Sequence, residues 1–165
     1  MKGIVIADSG PIFSLALIDK LELLDSLFDD ILIPPAVWNE ISADETKPFY
    51  DRVCNYFKDR VKHTTGFNEL TFIMGYGESE SVILYNEVEA DFLLIDDKKA
   101  RSIAENLGVK CIGTIGLLSA AKDKGYIVAL RPIFEDFLTH QRYYSIDLLN
   151  AILLRKNEES LNFKS

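Results

Sequence analysis

The sequence predicts an α/β fold in three layers, with helices on both faces of a central parallel sheet of about four to five strands. Three observations predict it. Short apolar runs rich in β-branched residues recur at Gly3–Ala7, Ile31–Ile33, Phe92–Ile95 and Lys110–Ile112. Each is apolar without alternation, the pattern of a strand buried on both faces. Each is followed by turn residues and then by apolar positions at helical spacing, and strand-to-helix alternation of this kind builds a parallel sheet.

The first run ends at Asp8-Ser9-Gly10-Pro11. Ser9 or Gly10 can cap a helix, Pro11 suits its first turn, and Ile12, Leu15, Ala16 and Leu17 continue it. Leu21, Leu24, Leu27 and Phe28 mark a second helix. The Ile31–Ile33 strand stops at Pro34-Pro35, where Ala36 to Ile41 begins another helix. A polar loop from Ser42 to Lys47 precedes a helical pattern from Phe49 to Val61. Glu78-Ser79-Glu80-Ser81 opens a helix after Gly75-Tyr76-Gly77, and acidic residues in a first turn suit the helix dipole. The third strand ends at Asp96-Asp97, and Lys98 to Leu107 is helical with Gly108 closing it. The fourth strand leads through Gly113-Thr114-Ile115-Gly116 into a helix ending at Lys124. Ile146, Leu149, Ile152 and Leu153 make an amphipathic helix of the tail, residues 143–165, able to pack on the domain or on a partner.

At 165 residues, 48% hydrophobic, 11% aromatic and 27% charged, the chain has the composition of one globular domain spanning 1–165, and disorder and collagen-like repeats are excluded. No apolar run approaches the ~20 residues of a membrane span. In the opening segment a carboxylate follows the short apolar stretch at once, with no small-residue cleavage site, so a cytoplasmic protein is expected. Cys54 and Cys111 are far apart and read as buried free thiols. The net charge of -8 opposes long-range attraction to nucleic acid, so any such role must rest on local sites or on metal.

The chemistry lies in where the carboxylates fall. Asp8 stands at the carboxyl end of the first strand and Asp96 and Asp97 at that of the third, the edge where open parallel sheets bind ligands. Glu40 lies one turn into the helix after the second strand, and Glu78 begins the helix before the third. Carboxylates delivered to one rim repel, and the fold must raise their pKa values, solvate them or bind a cation. Mg²⁺ or Mn²⁺ suits an all-oxygen site, and such a site activates water for attack on phosphorus. Taken singly, each of these residues is also an ordinary cap or loop residue.

Asp8-Ser9-Gly10-Pro11-Ile12, Ile33 to Ile41, Gly75-Tyr76-Gly77-Glu78-Ser79-Glu80, Leu93 to Arg101 and Gly113 to Leu118 occur in that order. Together they resemble a PIN domain, of the short prokaryotic branch of nucleic-acid-binding PIN proteins, over nearly the whole chain to about Tyr126. The resemblance implies a metal-dependent ribonuclease of the VapC-like kind, the toxin of a type II toxin–antitoxin pair. By position Asp8 matches the first family acid, Glu40 the second, Glu78 the third and Asp96 or Asp97 the fourth, with Asp8, Glu40, Glu78 and Asp97 as metal ligands. The third acid is usually Asp, and Glu80 competes with Glu78 for it; Ile95 stands where Thr or Ser is common. The resemblance further implies RNA as substrate, homodimerisation, and a small antitoxin that inserts a basic residue into the acidic pocket.

Ser9 and Thr114 can orient the acids or a metal-bound water, and both also read as helix caps. Arg101 can pair with a site carboxylate or touch a phosphate, and Lys98, Lys99, Lys122 and Lys124 are candidate phosphate contacts or a solvated face. Gly75-Tyr76-Gly77 lacks the Lys-Ser/Thr of a P-loop, and His63 and His140 have no ligands at metal spacing. Trp38 reads as packing. The competing reading is a nuclease-dead PIN-like module that binds RNA or protein; an Asp-based phosphohydrolase or receiver-like domain is the second.

Overall fold

In a computed structural model, which describes residues 1–66 and 69–162, β1 (Ile4–Ala7) lies at the centre of the sheet. It pairs in parallel with β2 (Asp30–Leu32) on one side and with β3 (Phe92–Leu94) on the other, and β4 (Cys111–Ile112) completes the order β2-β1-β3-β4. Val5 stands opposite both Ile31 and Phe92, and Leu94 opposite Ile112. This is the predicted three-layer α/β arrangement with four strands.

Successive strand residues point to opposite faces, and the core divides accordingly. Val5, Ala7, Ile31 and Leu94 face one apolar cluster. That cluster includes residues of α1 (Ser9–Leu17), α2 (Leu23–Leu27), α3 (Pro35–Ile41), α4 (Tyr50–Phe57) and α7 (Thr114–Asp123), and of the two final helices. Ile6, Leu93 and Ile95 face the other, formed with α5 (Tyr76–Glu87) and α6 (Lys98–Asn106). A 3-10 turn, Glu69–Phe72, precedes α5.

Two expectations need correction, and one open alternative is decided. The helix expected through Val61 ends at Phe57: the Arg60 amide returns to the Phe57 carbonyl at 2.9 Å, and the chain then runs extended beside Ile33. The Ile33 amide meets the Arg60 carbonyl at 3.0 Å and the Lys62 amide the Ile33 carbonyl at 2.9 Å, satisfying polar groups at an exposed sheet edge. The tail helix is α9 (Ile146–Arg155), and its Leu149 and Leu153 are fully buried in this chain's core; the expected end of the tail, residues 163–165, lies outside the described residues. Cys54 and Cys111 are free but half-buried, and burial pushes the Cys111 thiol up to about 11, far from a reactive thiolate.

One helix has no counterpart in the sequence reading. α8 (Arg131–Thr139) buries Phe134 and Phe137 completely. Its free amino-terminal amides are met by Glu158, which accepts from the Leu130 amide at 2.9 Å and the Arg131 amide at 2.9 Å and pairs with Lys122 in the last turn of α7. Among the described residues no helix is long and apolar enough to cross a membrane.

Candidate active site at the carboxyl edge of the sheet

The chain leaves β1 toward β2 on one side and returns to β3 on the other, so the order reverses between β1 and β3. Loops leaving the carboxyl ends of two such strands diverge and open a crevice. The Asp8 amide donates to the Leu94 carbonyl at 2.9 Å, so Asp8 and the Asp96-Asp97 pair leave the sheet side by side. A cleft of about 490 Å³ opens there, bordered by Asp8, Glu78, Asp96 and Asp97.

Asp8 sits deepest, only 5% exposed. Its Oδ1 is buried with no hydrogen-bond partner. Burial, with added repulsion from Glu78, pushes its carboxyl from 3.8 up to about 7; the Ser9 amide opposes the shift, and Glu40 and Asp96 add to it. An unpaired buried anion is costly, and a cation is what would relieve it.

The other acids arrive on separate elements. Ser9 Oγ donates to Glu40 Oε2 at 2.5 Å, tying the start of α1 to α3. Glu40 also lies against Gly77 of α5, where a Cβ would take the place of Glu40 Oε1, so a side chain there would displace the carboxylate. Asp96 accepts from the Thr114 amide at 2.7 Å, from Thr114 Oγ1 at 2.7 Å and from the Tyr144 hydroxyl at 2.8 Å. Asp97 caps α6, accepting from the Ala100 amide at 2.7 Å, and borders the cleft.

Glu80 goes elsewhere. Two helical positions are about 200° of rotation, and Glu80, 9% exposed, faces the start of α3, where its Oε2 accepts from the Ala36 amide at 2.7 Å. Glu78 turns into the cleft. Arg101 pairs with Glu105 at 2.9 Å rather than with a rim acid, although it borders a second groove beside Asp96. Thr114 is fully buried and spends its hydroxyl on Asp96, while Ser9, the first residue of α1, spends its own on Glu40. Of the lysines, Lys99 lines a groove shared with Glu78 and Asp97, and Lys98 opens α6. Lys122 and Lys124 lie at the far end of α7, on the order of 12 Å along the helix from Thr114, with Lys122 engaged by Glu158.

Sequence reasoning missed Ser14, Arg142 and Tyr144. Ser14 looks like an ordinary helix residue, and Arg142 and Tyr144 follow a helix that was itself unassigned; the only signal was the cluster Arg142-Tyr143-Tyr144.

Carboxylates and hydroxyls form the donor set a hard divalent ion prefers, and Asp8 Oδ1 lacks a partner. In kind, therefore, the residues fit such an ion. As the side chains stand, no three His, Cys, Asp or Glu among the described residues are gathered closely around one point.

No curated protein matches the sequence. A family model described as a PIN domain matches residues 4–158.

Proposed function

The chain belongs to the PIN-domain family, whose members are typically nucleases that generally use divalent metals, and from that premise we propose that it is a Mg²⁺- or Mn²⁺-dependent endoribonuclease. The observation that carries this reading is the buried, unpartnered Oδ1 of Asp8, a residue that borders a cleft with further carboxylates. Asp8, with Glu78 and Asp97, would hold the ion, and Glu40 would support it from α3. When bound, such an ion lowers the pKa of water and neutralises charge on a phosphodiester.

This chain's own residues supply position. Thr114 and Tyr144 hold Asp96, Ser9 holds Glu40, and the Ala100 amide holds Asp97, so the acids are oriented before substrate arrives. Burial of Asp8 keeps bulk water away and strengthens its charge toward any cation. The biological role that fits is the toxin of a type II toxin–antitoxin pair, acting in the cytoplasm as a single domain and a homodimer. A small antitoxin would place a basic side chain in the acidic cleft.

The test is cleavage of mixed structured and single-stranded RNA with Mg²⁺, Mn²⁺ or EDTA. Cleavage should require the metal and fall by at least about 100-fold in Asp8→Asn and Asp97→Asn, the scale of losing one electrostatic stabiliser of a transition state. Metal-independent cleavage, or full activity in Asp8→Asn, overturns the reading. The toxin role is tested separately by growth arrest on expression and its relief by the product of a neighbouring short reading frame.

A further inference from the structure

The connection from α8 to α9 crosses the mouth of the cleft, held by hydrogen bonds that the proposal above does not fully use. Arg142 donates from Nε to Ser14 Oγ at 2.6 Å and from Nη2 to the Gly10 carbonyl at 2.6 Å. Ser14, fully buried, meets the Tyr144 hydroxyl at 2.7 Å, and Tyr144 donates to Asp96 Oδ2 at 2.8 Å. A guanidinium only donates and an ionised carboxylate only accepts. The protons are therefore ordered from Arg142 through Ser14 and Tyr144 to Asp96.

Among the described residues Arg142 makes no ion pair: its hydrogen-bond partners are a hydroxyl and a carbonyl, and it borders the cleft. Tyr143, between the two pinned residues, is 76% exposed on the same cleft. A chain of net charge -8 must concentrate its cations where a polyanion is to bind. Beyond Glu78 and Asp97 the groove that holds Lys99, about 410 Å³ in volume, also carries Phe72, 86% exposed. An aromatic ring and a cation thus stand on each side of the acids.

We propose that Arg142 and Tyr143 contact the substrate, the guanidinium binding a phosphodiester beside the one cleaved and the Tyr143 ring stacking on the neighbouring base. The inference rests on the nuclease reading and extends it to residues outside the acidic set. Because Ser14 and the Gly10 carbonyl hold the Arg142 guanidinium before binding, little of its side-chain freedom is lost when the strand enters. The backbone turn is fixed too: Gln141 takes a left-handed φ of 58° just before Arg142.

The test is binding of a labelled, unstructured oligoribonucleotide to Asp8→Asn protein with Mg²⁺, titrated between about 50 and 200 mM salt. Arg142→Gln should weaken binding and reduce the slope of log affinity against log salt by about 0.7, the loss of one phosphate contact on a single strand, while Arg142→Lys keeps the slope. Tyr143→Ala should weaken binding roughly tenfold at every salt concentration, and Tyr143→Phe should restore it. Tyr143 is exposed, so its variants leave folding intact. Unchanged affinity and slope in Arg142→Gln and Tyr143→Ala overturn the inference and leave the nuclease reading standing. A lowered melting temperature in Arg142→Gln with an unchanged slope assigns Arg142 to holding the connection and overturns its substrate role. An Asp8→Asn parent that does not bind, beside a wild type that does not cleave, overturns both.

Discussion

Asp8 and Glu158 are carboxylates withdrawn from water toward the two ends of α7, one beside Asp96, which caps the start of that helix, and the other against Lys122 in its last turn. Asp8 is 5% exposed and the Glu158 side chain 12%. Burial opposes the charge of both, yet Asp8 is pushed up to about 7 while Glu158 is held below its ordinary value. At Glu158 the penalty is reversed by the Leu130 amide, Lys122 and the Arg131 amide; at Asp8 one oxygen has nothing and the neighbours are acids. Donors, rather than depth, set the direction. Glu158 is met on every side by donors, whereas Asp8 keeps an oxygen that nothing among the described residues meets.

The comparison breaks first at Asp8. In EDTA the folded carboxyl titrates near 7 and the unfolded one near 3.8, so unfolding releases a proton between those values and stability falls as pH rises through that window. Asp8→Asn should stabilise the metal-free protein at pH 8, with a ceiling of about 4 kcal/mol, less what its own unpaired amide costs. The gain should shrink steadily between pH 7 and 4. Thermal melts of both proteins across that range check it, and a gain independent of pH would mean that Asp8 is not the unsatisfied charge.

Glu158 should behave in the opposite sense. Glu158→Ala leaves the Leu130 and Arg131 amides without their acceptor, at a cost of about 2 kcal/mol. Because the folded pKa is depressed, that contribution is complete above the unfolded value of about 4.3 and is lost as pH falls through the folded one. Denaturant titrations should therefore show the gap between wild type and variant at pH 7 and its closure in acid.

The smallest stability effect sharpens the contrast. Gly77→Ala lies within α5, where alanine is the better helix former by about 1 kcal/mol, but its Cβ takes the place of Glu40 Oε1. Stability should change by less than about 1 kcal/mol, while cleavage falls because Glu40 leaves Ser9. Equal losses in both measurements would make Glu40 a scaffold residue like Glu158.

The strands and the edge of the sheet that carries the acids were legible in the sequence because each strand is a short apolar run, three of them ending at Asp or Pro and the fourth at Gly113. α8 was not, although Phe134 and Phe137 stand at helical spacing: its start is capped by Glu158, 27 residues away from Arg131, which no local pattern reveals. Glu78 and Glu80 competed by motif, and only the place of Glu78 directly after the glycines favoured it. The position of the Ala36 amide separates them, and that depends on how α3 packs. Asp96 and Asp97 divide likewise, one bonding to Thr114 at the start of α7 and the other to Ala100 of α6. The strap over the cleft was invisible because Arg142 meets Ser14 across 128 positions.

The adjacency of β1 and β3 also governs when the cleft exists. Val5 finds Phe92 only after the 86 residues between them have been made, and Tyr144 closes on Asp96 later still. Pairing between such distant segments forms late, after loop closure has been overcome. A growing chain that has passed Asp8 but not Phe92 lacks the partner strand beside which Asp8 is seated. The cleft is therefore completed only when the strap residues have joined it.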